Sequence, residues 1–273
     1  MGPVLATLLL GLLPQAVSAP EHLVLPDEDG QPLALLERKR TPLAGPETGR
    51  SGHESGHESG ALEDRDAPGA SMLWEESVLW RGDALRVLST EARRGERLEV
   101  VWRELPSARR RGRSWLFEQE GPGLEPRVET LGSRRPARRL PLPEAPVVGA
   151  LELEGLLRAG AEPLGSLALV DPVGGPVRTI RVERFAVEQD PFALAAVRAG
   201  LDELGQPAPE PGSLRGYAWR DAEGRTVRRI VLLGSELLAL QLEGRPAWAR
   251  RVRASRARGL ERRLAAAPEV QSR

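Results

Sequence analysis

Side chains that could carry acid–base or nucleophilic chemistry are few in this sequence of 273 residues. There is no cysteine, which excludes a thiol nucleophile, a disulfide and cysteinyl metal ligation. The three histidines, His22, His53 and His57, all precede residue 58. A serine nucleophile needs an imidazole within about 3 Å of its hydroxyl. The segment after residue 58 therefore cannot supply a Ser-His-Asp triad of its own.

Two of the histidines lie in the tandem repeat SGHESGHESG at 51–60, beside Glu54 and Glu58. On a helix, the spacing of His53 and His57 would place both imidazoles on one face as a weak metal site. Glycine recurs at every turn of the repeat and works against such a helix. We therefore interpret the repeat as a solvated segment, and we predict no metal site and no cofactor.

Carboxylates are the remaining candidates for catalysis. The sequence holds three close pairs, which are Glu75 with Glu76, Glu152 with Glu154, and Asp202 with Glu203. Neighbours in the sequence do not by themselves face each other across a cleft, so we interpret these pairs as surface charge. The prediction is a protein without enzymatic activity. The alternative is a carboxylate-based hydrolase of an envelope polymer, which would need two acids converging about 5–10 Å apart in a deep cleft.

Tryptophan is the dominant aromatic residue, with six copies against three Phe and one Tyr. Five of the six fall in predicted strands: Trp74, Trp80, Trp102, Trp115 and Trp219. Aromatic side chains along one side of a curved sheet can form a pocket for an apolar ligand or peptide. The other interpretation is that they are the large core residues of a sheet filled mainly by Leu and Val.

Arginine is concentrated near the C-terminus, where residues 245–273 hold nine Arg and only two Glu. Such a cluster can contact the anionic surface of a cell envelope. The candidate residues for this contact are Arg250, Arg251, Arg253, Arg256 and Arg258. The acidic segment 19–71, with eleven acidic and five basic residues, is an alternative partner within the chain. We predict no nucleic acid as a partner, because the N-terminus indicates export.

That N-terminus contains a ten-residue apolar run, Val4 to Leu13, followed by Pro14 and the small residues 16–19. A helix of this length spans about 15 Å, which is half a bilayer core and is typical of a signal peptide. We predict a signal peptide over 1–18 and a periplasmic or secreted protein. No transmembrane span is expected after its removal.

The mature chain divides into three parts on composition. Residues 19–71 are acidic and rich in Pro and Gly, which predicts a disordered linker. Within that linker the apolar pieces 23–25 and 33–36 are candidates to dock as a strand or a helical turn. Residues 72–244 alternate between apolar and polar positions and predict an antiparallel-sheet domain. Residues 245–273 predict a basic helical tail, with a helix over 246–267.

Helical spacing of Leu151, Leu153, Leu156 and Leu157 predicts a short core helix within 148–161. A second helix is predicted over 190–205, with Asp190 as its N-cap and Gly205 after its end. The fold class is therefore predicted as α+β, with a curved antiparallel sheet packed on one or two helices.

The order of features from residue 156 to 229 resembles the non-catalytic β-rich domain of exported bacterial transglutaminase-like proteins. The resemblance rests on Leu157-Arg158-Ala159, Asp171-Pro172, the strand 177–182, Tyr217-Ala218-Trp219-Arg220-Asp221 and Gly224-Arg225. It implies an accessory domain without the enzyme, because the predicted folded region lacks Cys and His. At the level of the fold alone, a curved sheet over a helix is also similar to periplasmic lipoprotein carriers. The combined prediction is a non-enzymatic binding or accessory module of the bacterial cell envelope that holds an apolar ligand or peptide.

Overall fold

The structure is a computed structural model that describes most of the chain. The described residues are 19–43, 72–81, 86–105, 113–121, 123–130, 136–171, 175–210 and 212–266. The predicted signal peptide and the repeat at 51–60 lie outside these ranges.

The described residues form an α+β fold, as predicted, in which one large sheet holds most of the chain. Its strands are β1 (Glu21–Pro26), β2 (Pro32–Pro42), β3 (Met72–Trp80), β4 (Arg86–Arg94), β5 (Arg97–Glu104), β6 (Arg113–Gln119), β7 (Arg127–Thr130), β8 (Arg138–Arg139), β9 (Val147–Gly149), β10 (Ser166–Asp171), β11 (Gly175–Phe185), β12 (Leu214–Asp221), β13 (Thr226–Leu233), β14 (Glu236–Leu242) and β15 (Trp248–Val252).

The strand order is β8-β7-β6-β5-β4-β3-β2-β1-β15-β14-β13-β12-β11-β10-β9. Neighbours are antiparallel except β9 and β10, which pair in parallel. Within the described residues the sheet does not close, and β8 and β9 are its two edges.

The sheet is so strongly curved that its β9 edge lies against its own β5 and β6. Ala168 and Val170 of β10 pack against Leu98, Val100 and Phe117, while the alternate residues Leu167 and Leu169 join the main core. Both faces of β10 are therefore buried, which explains its continuous apolar sequence SLALV.

Helix α1 (Ala150–Arg158) packs on the concave face of the sheet, called the inner face below. Its Leu153 and Leu157 are fully buried among residues of β1, β2 and β10–β14. Helix α2 (Pro191–Leu204) and helix α3 (Ala254–Ala266) cover the outer face. The predicted caps of α2 are confirmed, since Asp190 accepts from the amides of Phe192 and Ala193 and Gly205 has a φ of 70°.

The prediction that the whole segment 19–71 is disordered is wrong for residues 21–42, which form β1 and β2. Leu23 and Leu25 face the main core, and Val24 faces α3, so this strand is covered on both sides. Two of the acidic residues that suggested disorder form ion pairs in the fold, Glu21 with Arg158 and Asp27 with Arg81. The predicted boundary at residue 72 therefore does not separate a linker from the sheet.

The prediction of a helix over 246–267 is also wrong at its start. Residues 248–252 form β15, which pairs with β1 on one side and β14 on the other and thus lies in the middle of the sheet. Trp248 and Val252 face outward under α2 and α3. The helix that follows buries Ala257, Leu260 and Leu264 against Val24, Leu35, Leu79 and Val252, so a narrow apolar stripe is enough to pack it on the sheet.

Candidate functional site

Buried charges, rather than a catalytic constellation, dominate the space between α1 and the sheet. Glu154 of α1 forms ion pairs with Arg38 of β2 and with Arg158 one helical turn later, the latter at 2.6 Å. Arg158 in turn holds Glu21 of β1 through two hydrogen bonds of 2.8 and 2.6 Å. Arg38 also donates from Nε to Glu76 of β3 at 2.7 Å. Glu154, Arg38 and Arg158 are all buried.

This ion network is completed by Arg251 of β15, whose Nη1 lies 2.8 Å from Glu21. Strand pairing supplies part of its geometry, because Arg38 is the cross-strand partner of both Glu21 and Glu76. The network contains three carboxylates and three guanidinium groups, so its charges balance. Burial alone would raise the pKa of Glu154, but the charges of Arg38 and Arg158 outweigh it and hold that pKa at about 2.

A second buried carboxylate, Glu91 of β4, caps the N-terminus of α1 from outside the helix. Its Oε2 accepts from the amides of Leu151 and Glu152, each at 2.9 Å. Gly149 precedes the helix and has no side chain to cap it, and a Cβ there would lie 2.1 Å from that same Oε2. The sequence therefore needs glycine at 149 so that Glu91 can reach the helix.

Burial raises the pKa of Glu91 to about 7, although the two amide hydrogen bonds and the charge of Arg228 favour its ionised form. Glu152 adds to the increase through its negative charge. Glu152 is itself held by Arg93 through hydrogen bonds of 2.7 and 2.8 Å. A carboxyl with such a pKa is typical of a general acid, but Glu91 is 1% exposed and its acceptor oxygen is committed to the helix.

A crevice opens between one face of α1 and the strands β1–β3. The space inside it, counted together with the open solvent at its mouth, is about 320 Å³. It is lined by Glu21, Arg38, Lys39, Arg40, Trp74, Glu75, Leu151, Glu154, Gly155 and Arg158. Sequence reasoning singled out Trp74 and two of these carboxylates, Glu75 and Glu154, but did not place them together, because their elements are distant in the chain.

All five predicted ligand-binding tryptophans lie on the inner face, but they do not line one open pocket. Trp74 and Trp219 are buried core residues. Trp80 is half-buried against the main core, and Trp115 is half-buried against the cluster of β5, β6, β9 and β10. Trp102 is the direct cross-strand partner of Trp115.

Two buried polar atoms of neighbouring strands have no hydrogen-bond partner among the described residues. They are Nε1 of Trp219 and Nη1 of Arg228. The guanidinium carbon of Arg228 lies 5.1 Å from the centroid of the Trp219 ring, which is within the range of a cation–π contact. Arg228 is thus a charged group on the inner face that the sequence did not reveal.

The five arginines predicted to contact an anionic surface do not share one face. Arg250 and Arg251 are consecutive in β15, so their side chains point to opposite faces of the sheet. Arg251 belongs to the ion network, and Arg256 pairs with Glu203 of α2. Arg253 donates to the Glu203 carbonyl. Only Arg258 of the five is exposed and lacks a partner in the part of the chain that the structure describes.

Among the described residues there is no group of three or more His, Cys, Asp or Glu that could hold a metal ion. Two of the three carboxylate pairs are separated by the fold: Glu75 and Glu76 point to opposite faces of β3, and Glu152 and Glu154 are bound to different arginines. No helix in the described ranges is long and apolar enough to span a membrane.

No family model matches the chain, and no curated protein or solved structure matches it either. The resemblance to the accessory domain of transglutaminase-like proteins therefore stays a prediction.

Proposed function

We propose that this protein is a non-enzymatic binding module of the bacterial cell envelope that holds an apolar chain at one end of its inner face. The proposal rests on a band of apolar side chains that pack on the main core but remain partly exposed. We call this band the apolar end; it consists of Leu33, Trp80, Val87, Val182, Leu242 and Ala247.

The apolar end lies near the sheet end that carries the β1–β2, β3–β4 and β14–β15 connections. Leu33 begins β2, Trp80 ends β3 and Leu242 ends β14, so these side chains converge there. Arg245 lies over the Trp80 ring at 5.1 Å and adds a positive charge to the rim. A long apolar chain suits this surface better than a peptide, because an added peptide strand would need an unpaired edge such as β8.

The buried carboxylates support a binding module over a hydrolase. Glu154 is committed to Arg38 and Arg158, and Glu91 is committed to the amides at the start of α1. Carboxylate-based hydrolysis needs one acid to donate a proton to a substrate while a second carboxylate attacks or activates water. Neither Glu91 nor Glu154 is exposed to a substrate. A periplasmic or secreted location, indicated by the apolar run at 4–13, fits this proposal.

Binding of an apolar chain is expected to be saturable and to depend on Val87 but not on Leu88. These are consecutive, half-buried residues of β4, and Val87 faces the apolar end while Leu88 faces outward. Val87→Asn should weaken binding of a pyrene-labelled acyl chain about tenfold, since an unpaired amide on a binding surface costs about 1–3 kcal/mol. Fluorescence titration of both variants measures the difference.

Leu88→Asn is the matched control, because it makes the same polar change one residue away on the other face. Its affinity should equal that of the unchanged protein. Absence of saturable binding, or equal loss in the two variants, would refute the apolar end as the binding surface. Binding of added peptide at the β8 edge, without competition with the acyl probe, would point to the peptide alternative.

A second candidate function, contact with an anionic surface, rests on α3. Arg258 and Arg262 are four residues apart on its exposed side and have no ion-pair partner in the described ranges. Each arginine near an anionic membrane contributes about 1 kcal/mol. Replacing both by glutamine should therefore reduce partitioning onto vesicles that contain phosphatidylglycerol about thirtyfold at low salt. Sedimentation with and without added salt measures this.

The control variant replaces Arg138 and Arg139 of β8, two other exposed arginines, by glutamine. Equal partitioning of the two double variants would show that α3 is not the contact surface. Removal of everything after Arg245 is unsuitable as a test, because it deletes the central strand β15.

A further inference from the structure

One arginine in the crevice between α1 and β1–β3 has no ion-pair partner among the described residues. Arg38 and Arg158 also line this crevice, but both belong to the charge-balanced ion network. Arg40, two residues after Arg38 on the same face of β2, makes no hydrogen bond or ion pair with the described residues. It is half-buried, and burial and the neighbouring Arg158 lower its pKa by more than the charges of Glu21 and Glu154 raise it. Such a lowered pKa marks a cation that its surroundings leave uncompensated.

The charges of the remaining lining residues do not remove this excess. The ion network contributes three carboxylates and three guanidinium groups, so its own charges balance, and the attraction of Glu21 and Glu154 for Arg40 does not outweigh burial and the repulsion by Arg158. At the rim, Lys39 and Glu75 are cross-strand partners of opposite charge. The crevice therefore carries one net positive charge, on Arg40.

The walls beside Arg40 are rigid and partly apolar. Trp74 is its direct cross-strand partner, and Leu151 packs against Trp74. Gly155 lets the helix approach that indole closely, since a Cβ there would lie 3.0 Å from Trp74 Nε1. A guanidinium group beside an indole and a leucine offers a planar pair of donors together with an apolar wall.

We infer that this crevice is a binding site for the oxyanion group, carboxylate or phosphate, of a small organic ligand, with Arg40 as its counter-charge. The site is separate from the apolar end. Trp74 lies in the crevice and Trp80 at the apolar end, and both belong to β3. Their separation of six positions corresponds to about 20 Å along the strand. The inference therefore does not rest on the proposed function, and either one can fail alone.

Titration by NMR of the Trp74 indole N–H tests the inference directly, because this group lies in the crevice wall. Sodium phosphate and sodium acetate are added separately at constant ionic strength, with sodium chloride as the third arm. The expected result is a saturable shift of the Trp74 signal with phosphate or acetate and only a small linear drift with chloride. The anion that saturates at the lower concentration identifies the class of head group.

Arg40→Gln should weaken that binding at least tenfold, while Arg103→Gln, at an exposed position of β5, should leave it unchanged. Arg40→Lys keeps the positive charge but lacks the planar pair of N–H donors of the guanidinium group, so it should give intermediate affinity. Both Arg40 variants should fold, because Arg40 lies outside the ion network. Linear shifts with every salt, or equal saturation in Arg40→Gln, would overturn the inference.

Discussion

Replacing Glu154 by glutamine is expected to lower the free energy of unfolding by about 3–5 kcal/mol, the range for breaking a buried ion pair. Glu154 is 3% exposed and is bound to both Arg38 and Arg158, which are 5% exposed. The substitution leaves an uncompensated positive charge among buried side chains. Denaturation by urea, followed by tryptophan fluorescence, measures this change.

Glu183→Gln is the matched control, because Glu183 forms an ion pair with Arg220 at the surface. Exposed pairs contribute about 0–1 kcal/mol, so this variant should be close to the unchanged protein. The double variant Arg38→Met with Glu154→Gln should lose less than the sum of the two single variants, because it removes one charge of each sign. Equal stabilities of Glu154→Gln and Glu183→Gln would mean that the ion network is absent in solution.

The second large effect is a fall in stability as the pH rises through the range in which Glu91 ionises. Its pKa is about 7 in the folded protein and 4.5 in the ordinary carboxyl, so the folded state holds the proton more tightly. Stability from this group is complete below pH 4.5 and is lost as the pH approaches 7. The difference between the two pKa values corresponds to about 3 kcal/mol.

Glu91→Gln should remove this dependence of the free energy of unfolding on pH, because glutamine stays neutral at every pH. We expect it to match the unchanged protein near pH 5 and to be the more stable of the two near pH 8. His22, whose pKa is lowered by burial, is present in both proteins, so its contribution cancels in their difference. Glu91→Ala should also remove the pH dependence, but it loses the cap of α1, which costs about 0.5–2 kcal/mol of stability at every pH. Parallel pH profiles of the unchanged protein and Glu91→Gln would contradict the raised pKa.

Local patterns predicted the individual elements well. Alternation over 72–244 indicated an antiparallel sheet, and the apolar residues Val100 and Phe117 in two of its strands are fully buried. The cap residues of α2 were readable because Asp190 and Gly205 act within a few residues of their own position. Average composition was misleading over 19–71: its acidic and Pro-rich residues indicated disorder, whereas the apolar run at 23–25, a candidate to dock, lies in a central strand.

The candidate sites were mostly not predictable, because their residues meet through long-range contacts. Glu154 and Arg38 are separated by 116 positions, and Arg158 and Glu21 by 137. Glu91 caps a helix that begins about 60 residues later. Each of these residues, taken alone in the sequence, has the pattern of an ordinary surface charge. The predicted tryptophans were correctly placed on one face, since strand alternation is local, but which of them stay exposed depends on what covers them.

The sequence by itself determined the lack of cysteine chemistry, the α+β class, the helix caps and the side of the sheet on which most apolar residues lie. These depend on residue type and on spacing within one element. The curvature of the sheet decided the rest, because it brings β9 and β10 against β5 and β6 and places α1 over β1–β3. Only then are Glu91 and Glu154 removed from water, which sets their pKa values in opposite directions. Only then is Arg40 half-buried without an ion-pair partner among the described residues, since burial and ion pairing depend on distances between elements that the sequence does not state.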